Sequence, residues 1–227
     1  MLQSFYDQIE GACNDNYLMT CEKWRKIFLT LDHEKLIHRF SLQSDDDAIY
    51  LRFFHQDYRL DRRTGMITLV EAPDLLLGFN TVMSIYNLFY YAKKDAKVRG
   101  TFVPFRQVKR AAPFDPAFQK TVLQPIAQTF SEHCKELEKA CIALGGTKIR
   151  QGDVGYVIEA FSWMPVTILF WDGDDEFEAQ ANMLFDADIT DYIHEETVCC
   201  IASCLASRLA QEAGFSRVDQ LLGDSYS

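Results

Sequence analysis

The run Val166–Trp171, VTILFW, contains a single polar residue and no alternation of polar and apolar positions. A strand of that pattern has to be covered on both faces, so the chain needs layers on either side of a sheet. The run ends in Asp172, Asp174, Asp175, Glu176 and Glu178. A second apolar pair, Leu184–Phe185, ends in Asp186, Asp188 and Asp191. Strands that run out into carboxylates deliver rigidly placed negative charge to the surface, where sites are often built. These residues constrain architecture strongly, but they do not spell out a function.

The remaining elements follow from periodicity. Residues 2–40 read as helical: Leu2, Phe5, Ile9 and Cys13 share one stripe, and Cys21, Trp24, Ile27 and Phe28 form a second. Asp32 is placed as the N-cap of a short helix, HEKLIHRF, and Ser44–Asp47 as a solvated acidic loop. Ile49–Phe54, Tyr58–Asp61 and Met66–Val70 make a three-strand meander, with Arg62–Gly65 turning between the last two. Pro73–Asp74 opens an aromatic helix in which Phe79, Val82, Met83, Tyr86 and Tyr90 recur at helical spacing.

Gly100–Val108 reads as extended. A long helix then runs to Leu144 with the seam Phe130, Cys134, Leu137, Cys141 and Leu144. Pro125 starts or kinks it, and Gly145–Gly146 stops it. Gly155–Phe161 adjoins Val166–Trp171 through Ser162–Pro165. A last helix, from about Asp191 to Ala213, buries Val198, Ile201, Ala202, Leu205 and Leu209, and Gly214 caps it. The expected fold class is α+β: a mainly antiparallel sheet flanked by long helices, with an N-terminal helical layer. Residues 1–215 are expected to form a single domain and 216–227 a flexible tail.

Charge and cysteine usage narrow the function classes. The formal charge of −10 and pI near 4.9 oppose nucleic acid and anionic membrane, and the basic stretches Lys93–Lys97 and Arg106–Arg110 are short. The N-terminus has no signal-peptide pattern. Asn80, Ser84 and Asn87 interrupt the most lipid-like window, Leu75–Ala92, which suits a buried helix better than a span. The 7 cysteines are odd in number and include no Cys-x-x-Cys pair, so free thiols in a reducing compartment are expected. The expected location is cytoplasmic.

No constellation matches a known catalytic motif. Asp172, Asp174, Asp175 and Glu176 could offer oxygens to a hard cation, but the spacing departs from the EF-hand loop: Met183 stands at its twelfth position. A solvated turn is the better reading. Asp186 and Asp188 read best as turn and cap residues before the last helix. Cys199, Cys200 and Cys204 read as packing residues. His33, His38, His55, His133 and His194 read as surface residues; His33 and His38 lie too far apart around a helix to share a zinc ion. No metal site is predicted.

The residues Gly152-Asp153, Pro165-Val166, Leu169-Phe170-Trp171, Asp174, Glu176-Phe177, Ala181, Leu184-Phe185-Asp186 and Tyr192 form a pattern. It resembles the C-terminal signature of domain-of-unknown-function family 3786. Leu31-Asp32, Glu34, Tyr58 and Phe105-Arg106 are similar to its upstream part, so the resemblance spans roughly residues 20–210. It implies an association with anaerobic bacteria and archaea, where some members carry a cysteine-rich iron–sulfur domain. This chain departs from the pattern by lacking a four-cysteine motif and by having Glu178 where the family has proline.

The expected function is a cytoplasmic binding or accessory module, linked by that resemblance to anaerobic redox or one-carbon metabolism. It would bind a protein partner or a small polar ligand through Arg106, Trp171, Asp172, Asp174, Asp175, Glu176 and Asp186. Two other readings stay open. One is an enzyme whose carboxylates act with Arg106 or Tyr58 as acid–base groups. The other is a tetrapyrrole-binding protein using the aromatic helix and a histidine. No cofactor is predicted; an iron–sulfur cluster and a tetrapyrrole both remain open.

Overall fold

A computed structural model describes residues 9–10 and 15–215 of the chain. In chain order, β1 (Ile9–Glu10), α1 (Asp15–Leu29) and α2 (His33–Phe40) precede a meander of β2 (Gln43–Ser44), β3 (Ala48–Phe53), β4 (Gln56–Asp61) and β5 (Ile67–Leu69). Then come β6 (Leu77–Gly78), α3 (Phe79–Tyr91) and β7 (Phe102–Pro104). The helical region follows as α4 (Asp115–Phe118), α5 (Gln124–Phe130) and α6 (Cys134–Ala143). Last come β8 (Thr147–Lys148), β9 (Val154–Phe161), β10 (Met164–Trp171), β11 (Gln180–Asp186) and α7 (Glu195–Glu212). The strands form an antiparallel meander, β2-β3-β4-β5, and an antiparallel five-stranded sheet in the order β7-β11-β10-β9-β8. The fold class is α+β, as expected.

The uninterrupted apolar run becomes β10, the central strand of the larger sheet, and Val166 to Phe170 are all buried. Helix α5 packs on β11 and α6 on β9, while α7 lies against α3 and α6. The meander turns between β3 and β4 at Phe54-His55, both at positive φ (42° and 64°), as a two-residue hairpin requires. The Phe54 amide donates to the Ala160 carbonyl of β9 (2.8 Å). The Phe54 carbonyl accepts from the buried Arg208 of α7 (3.0 Å). This one residue therefore ties the meander to the second sheet and to the last helix. A run of rings continues the core between the layers: Phe40–Trp163, Trp163–Phe161 and Phe161–Phe53, at 4.9, 5.9 and 4.8 Å between centroids.

Asp32 caps α2 as expected, its carboxylate accepting from the Lys35 amide at 3.1 Å. The expected buried face of the last helix also forms. Of the other two stripes, Cys21 and Phe28, and Val82, Met83 and Tyr86, are buried, with Trp24, Ile27 and Phe79 half-buried and Tyr90 exposed. Asn87 and Ser84, the polar interruptions of α3, are bonded within the core: Thr197 Oγ1 donates to Asn87 Oδ1 (2.9 Å), and Ser84 Oγ donates to the Asn80 carbonyl (2.7 Å). Among the described residues, no helix is long and apolar enough to cross a membrane.

Four expectations need correction. The aromatic helix opens not at Pro73–Asp74 but at Phe79, after the short strand Leu77–Gly78. Ile9–Glu10 is not helical but pairs in parallel with Leu77–Gly78; the rest of the Leu2–Cys13 stripe lies outside the described residues, as does the tail from Ser216. Gly100–Val108 is a strand only over Phe102–Pro104 and then turns as a 3₁₀ helix over Phe105–Gln107. The long helix to Leu144 is interrupted twice. Pro125 has no N–H to give the preceding turn, and that turn widens to a π-helical stretch over Gln119–Leu123. At Ser131–His133 the helix breaks, with Glu132 in the left-handed region (φ 64°). The seam survives the break because Phe130, Leu137, Cys141 and Leu144 all remain buried.

Candidate functional site

Most of the acidic signature serves the backbone. Asp172, just past the end of β10, is half-buried, and its Oδ1 accepts from the amides of Glu132 and Gly173 (2.9 Å each). Its Oδ2 accepts from the Cys134 thiol at 3.5 Å. The Glu132 amide is the main reason the Asp172 carboxyl lies below the usual carboxylate range. Cys134 responds in the opposite sense: burial, and then the neighbouring Asp172, push its thiol up to about 11. The Asp172 amide in turn donates to Asp153 Oδ2 (2.8 Å). Gly152, at φ 73°, lets that turn close: a Cβ there would come within 2.6 Å of the Phe170 carbonyl oxygen. Asp174 Oδ1 accepts from the amides of Glu176 and Phe177 (2.8 Å each), which folds the loop between β10 and β11 into a tight turn.

Asp186 is at the other end of the ladder. Trp171 pairs with Gln180 and Val166 with Phe185, so Asp186 stands opposite the start of β10. At a strand rise near 3.3 Å per residue it is roughly 20 Å from Asp172. The structure therefore divides the expected acidic site in two. Asp186 is buried; its Oδ2 accepts from the Gly100 amide (2.7 Å) and its Oδ1 from the Asp188 amide (3.0 Å). It anchors an irregular strap over residues 93–101. Arg99 pairs with Asp188 (2.8 Å), Lys93 with Asp191, and the Tyr192 hydroxyl donates to the Ala96 carbonyl (3.1 Å). Burial, and then Asp186, push the Tyr192 hydroxyl above its ordinary value. Asp186 thus belongs to turn formation, as the sequence suggested, but Asp188 caps no helix: its carboxylate pairs with Arg99, and His194 caps the last helix.

What remains free is the tip of the β10–β11 hairpin. Asp175, Glu176 and Glu178 are exposed, and among the described residues no ion pair engages them. Trp171 is 38% exposed and Phe177 67%, the largest exposure of any large apolar side chain described. Phe177 is the residue that reading the sequence for carboxylates overlooked, and Glu178, noted there as an acid, was left out of the expected binding set. Their signal was an aromatic residue flanked on both sides by acids inside an Asp/Gly turn.

The other expected partners lie elsewhere. Arg106 is exposed on the 3₁₀ turn after β7 and makes no ion pair with these carboxylates. Tyr58 is in the core: its hydroxyl donates to Gln56 Oε1 (3.2 Å) and accepts from Arg208, and burial raises it. Helix α3 spends its aromatic face on packing, with only Tyr90 strongly exposed among its rings. Of the histidines, His38, His55 and His133 are exposed, but two correct the surface reading. His33 stacks on Phe28 at 4.6 Å, and His194 caps α7 by accepting from the Glu196 amide (3.3 Å). Burial raises the thiols of Cys21, Cys141 and Cys199 to about 12 and that of Cys200 higher still. Thiols held in that range are poor nucleophiles at neutral pH. Among the described residues, no three His, Cys, Asp or Glu side chains converge on a point that could hold a metal ion.

Fold and site together define an α+β protein in which a meander and a five-stranded sheet carry one acidic, aromatic hairpin tip. The chain belongs to the family described as Domain of unknown function (DUF3786), whose model matches residues 32–208. No curated protein and no solved structure matches the chain.

Proposed function

We propose that this chain is an accessory or binding protein that docks a basic partner protein through the β10–β11 hairpin tip. The observation that carries this reading is the contrast between engaged and free carboxylates. Asp153, Asp172, Asp174 and Asp186 each accept backbone amides, whereas Asp175, Glu176 and Glu178 flank the exposed Phe177 with no ion pair among the described residues. Apolar anchors ringed by charge are a common form of protein interface, and the free carboxylates select a cationic partner and speed its approach. We place it in anaerobic redox or one-carbon metabolism by family association alone, and as a single domain over residues 1–215. We place it in the cytoplasm because its cysteines are odd in number and include no Cys-x-x-Cys pair.

A photo-cross-linking amino acid placed at position 177 tests this in cells that make the protein natively. We expect one discrete protein adduct, lost when Asp175, Glu176 and Glu178 are all changed to lysine. An adduct pattern indifferent to that charge reversal, or matched by the same probe at the exposed Ile142 on α6, would sink the proposal.

A further inference from the structure

Helix α2 and the strap bound an open cleft of about 740 Å³, apart from the hairpin tip. That volume lies within the range of small-molecule sites. Its apolar lining comes from Leu31 and Leu36, and its polar lining is charged. The two carboxylates there are already neutralised. Asp32 pairs with Lys35 (2.7 Å) while capping the helix, and Glu34 pairs with Arg62.

The cations are not all neutralised. Arg39 donates one N–H to the Ala92 carbonyl, and its guanidinium stands 5.8 Å from the Phe40 ring centre, which holds it in place with other donors left over. His38 is exposed beside it, and the exposed Lys94 reaches the cleft from the strap, with no ion pair among the described residues. Arg39 alone could be explained as a cation favoured at a helix C-terminus. Lys94 belongs to a different segment, which that explanation does not cover.

In a chain of net charge −10, a cleft whose uncompensated charges are all cationic concentrates anions locally. We infer that this cleft binds a small anionic ligand with an apolar body, the anion meeting Arg39 and Lys94 and the body lying along Leu31 and Leu36.

Phenyl phosphate, with benzyl alcohol as its uncharged counterpart, probes the site on the full chain by amide NMR titration. Saturable shifts are expected for residues 31–39 and 93–95 with phenyl phosphate and not with benzyl alcohol. Lys94→Glu should weaken binding at least tenfold and Lys94→Ala less; Lys94 is exposed, so both should melt as the parent does. No saturation, shifts centred elsewhere, or equal binding by parent and Lys94→Glu would overturn the assignment.

Discussion

Asp172 shows how a carboxylate that looks available in sequence is used up. Its charge is held by the Glu132 and Gly173 amides, so folding favours the ionised form and lowers its pKa, chiefly through Glu132. The stabilisation is therefore complete above the ordinary Asp value, near 3.9, and is lost as pH falls through the lower folded value. Replacing Asp172 with Asn removes the charge but keeps the shape. For a side chain this solvated, the cost at neutral pH should be about 1 kcal/mol. Urea unfolding at pH values from about 3 to 7 should show the difference between parent and variant shrinking on the acid side. A difference that is constant across that range would mean that the Asp172 charge does not contribute.

Among the elements, the most revealing is the break between α5 and α6. The seam Phe130, Cys134, Leu137, Cys141 and Leu144 keeps helical spacing straight through residues 131–133, and no glycine or proline marks the interruption. The contact that favours the break is Asp172, 40 positions further on, whose oxygen takes the Glu132 amide. Periodicity reports local burial and cannot report such a partner. By contrast, β10, the meander and the buried face of α7 were legible because each is written in its own residues. Ile9–Glu10 was misread for the same reason as the break: its pairing with Leu77–Gly78 is non-local.

Glu132 has to occupy the left-handed region, which disfavours residues with a Cβ. Glu132→Gly keeps the amide that Asp172 needs, so it should stabilise the fold by about 0.5–1 kcal/mol. That corresponds to a rise in Tm of roughly 2 °C for a chain of this size. A lower Tm would show that the Glu132 side chain makes a contribution that outweighs its backbone strain.

Over the whole molecule, the acidic residues divide into scaffold and surface. One buried core runs through both sheets and the helices from Cys21 to Leu209. Phe54 joins its layers, and Asp186 fastens the strap across the larger sheet's edge. The carboxylate positions of the candidate site could be read from the sequence, but not their division, because the amides of Gly100 and Glu132 are invisible until the chain is folded. The working charge at the hairpin tip is our proposal, whereas Asp186 fastens the strap through the Gly100 and Asp188 amides. Amide hydrogen exchange of Asp186→Ala, followed by mass spectrometry, tests that division most directly. Removing the buried acceptor leaves the Gly100 and Asp188 amides without their partner. Exchange should therefore accelerate across residues 93–101, while the tip at 173–179 and the meander exchange as in the parent. Unchanged exchange in the strap, or a loss of protection at the tip instead, would contradict it.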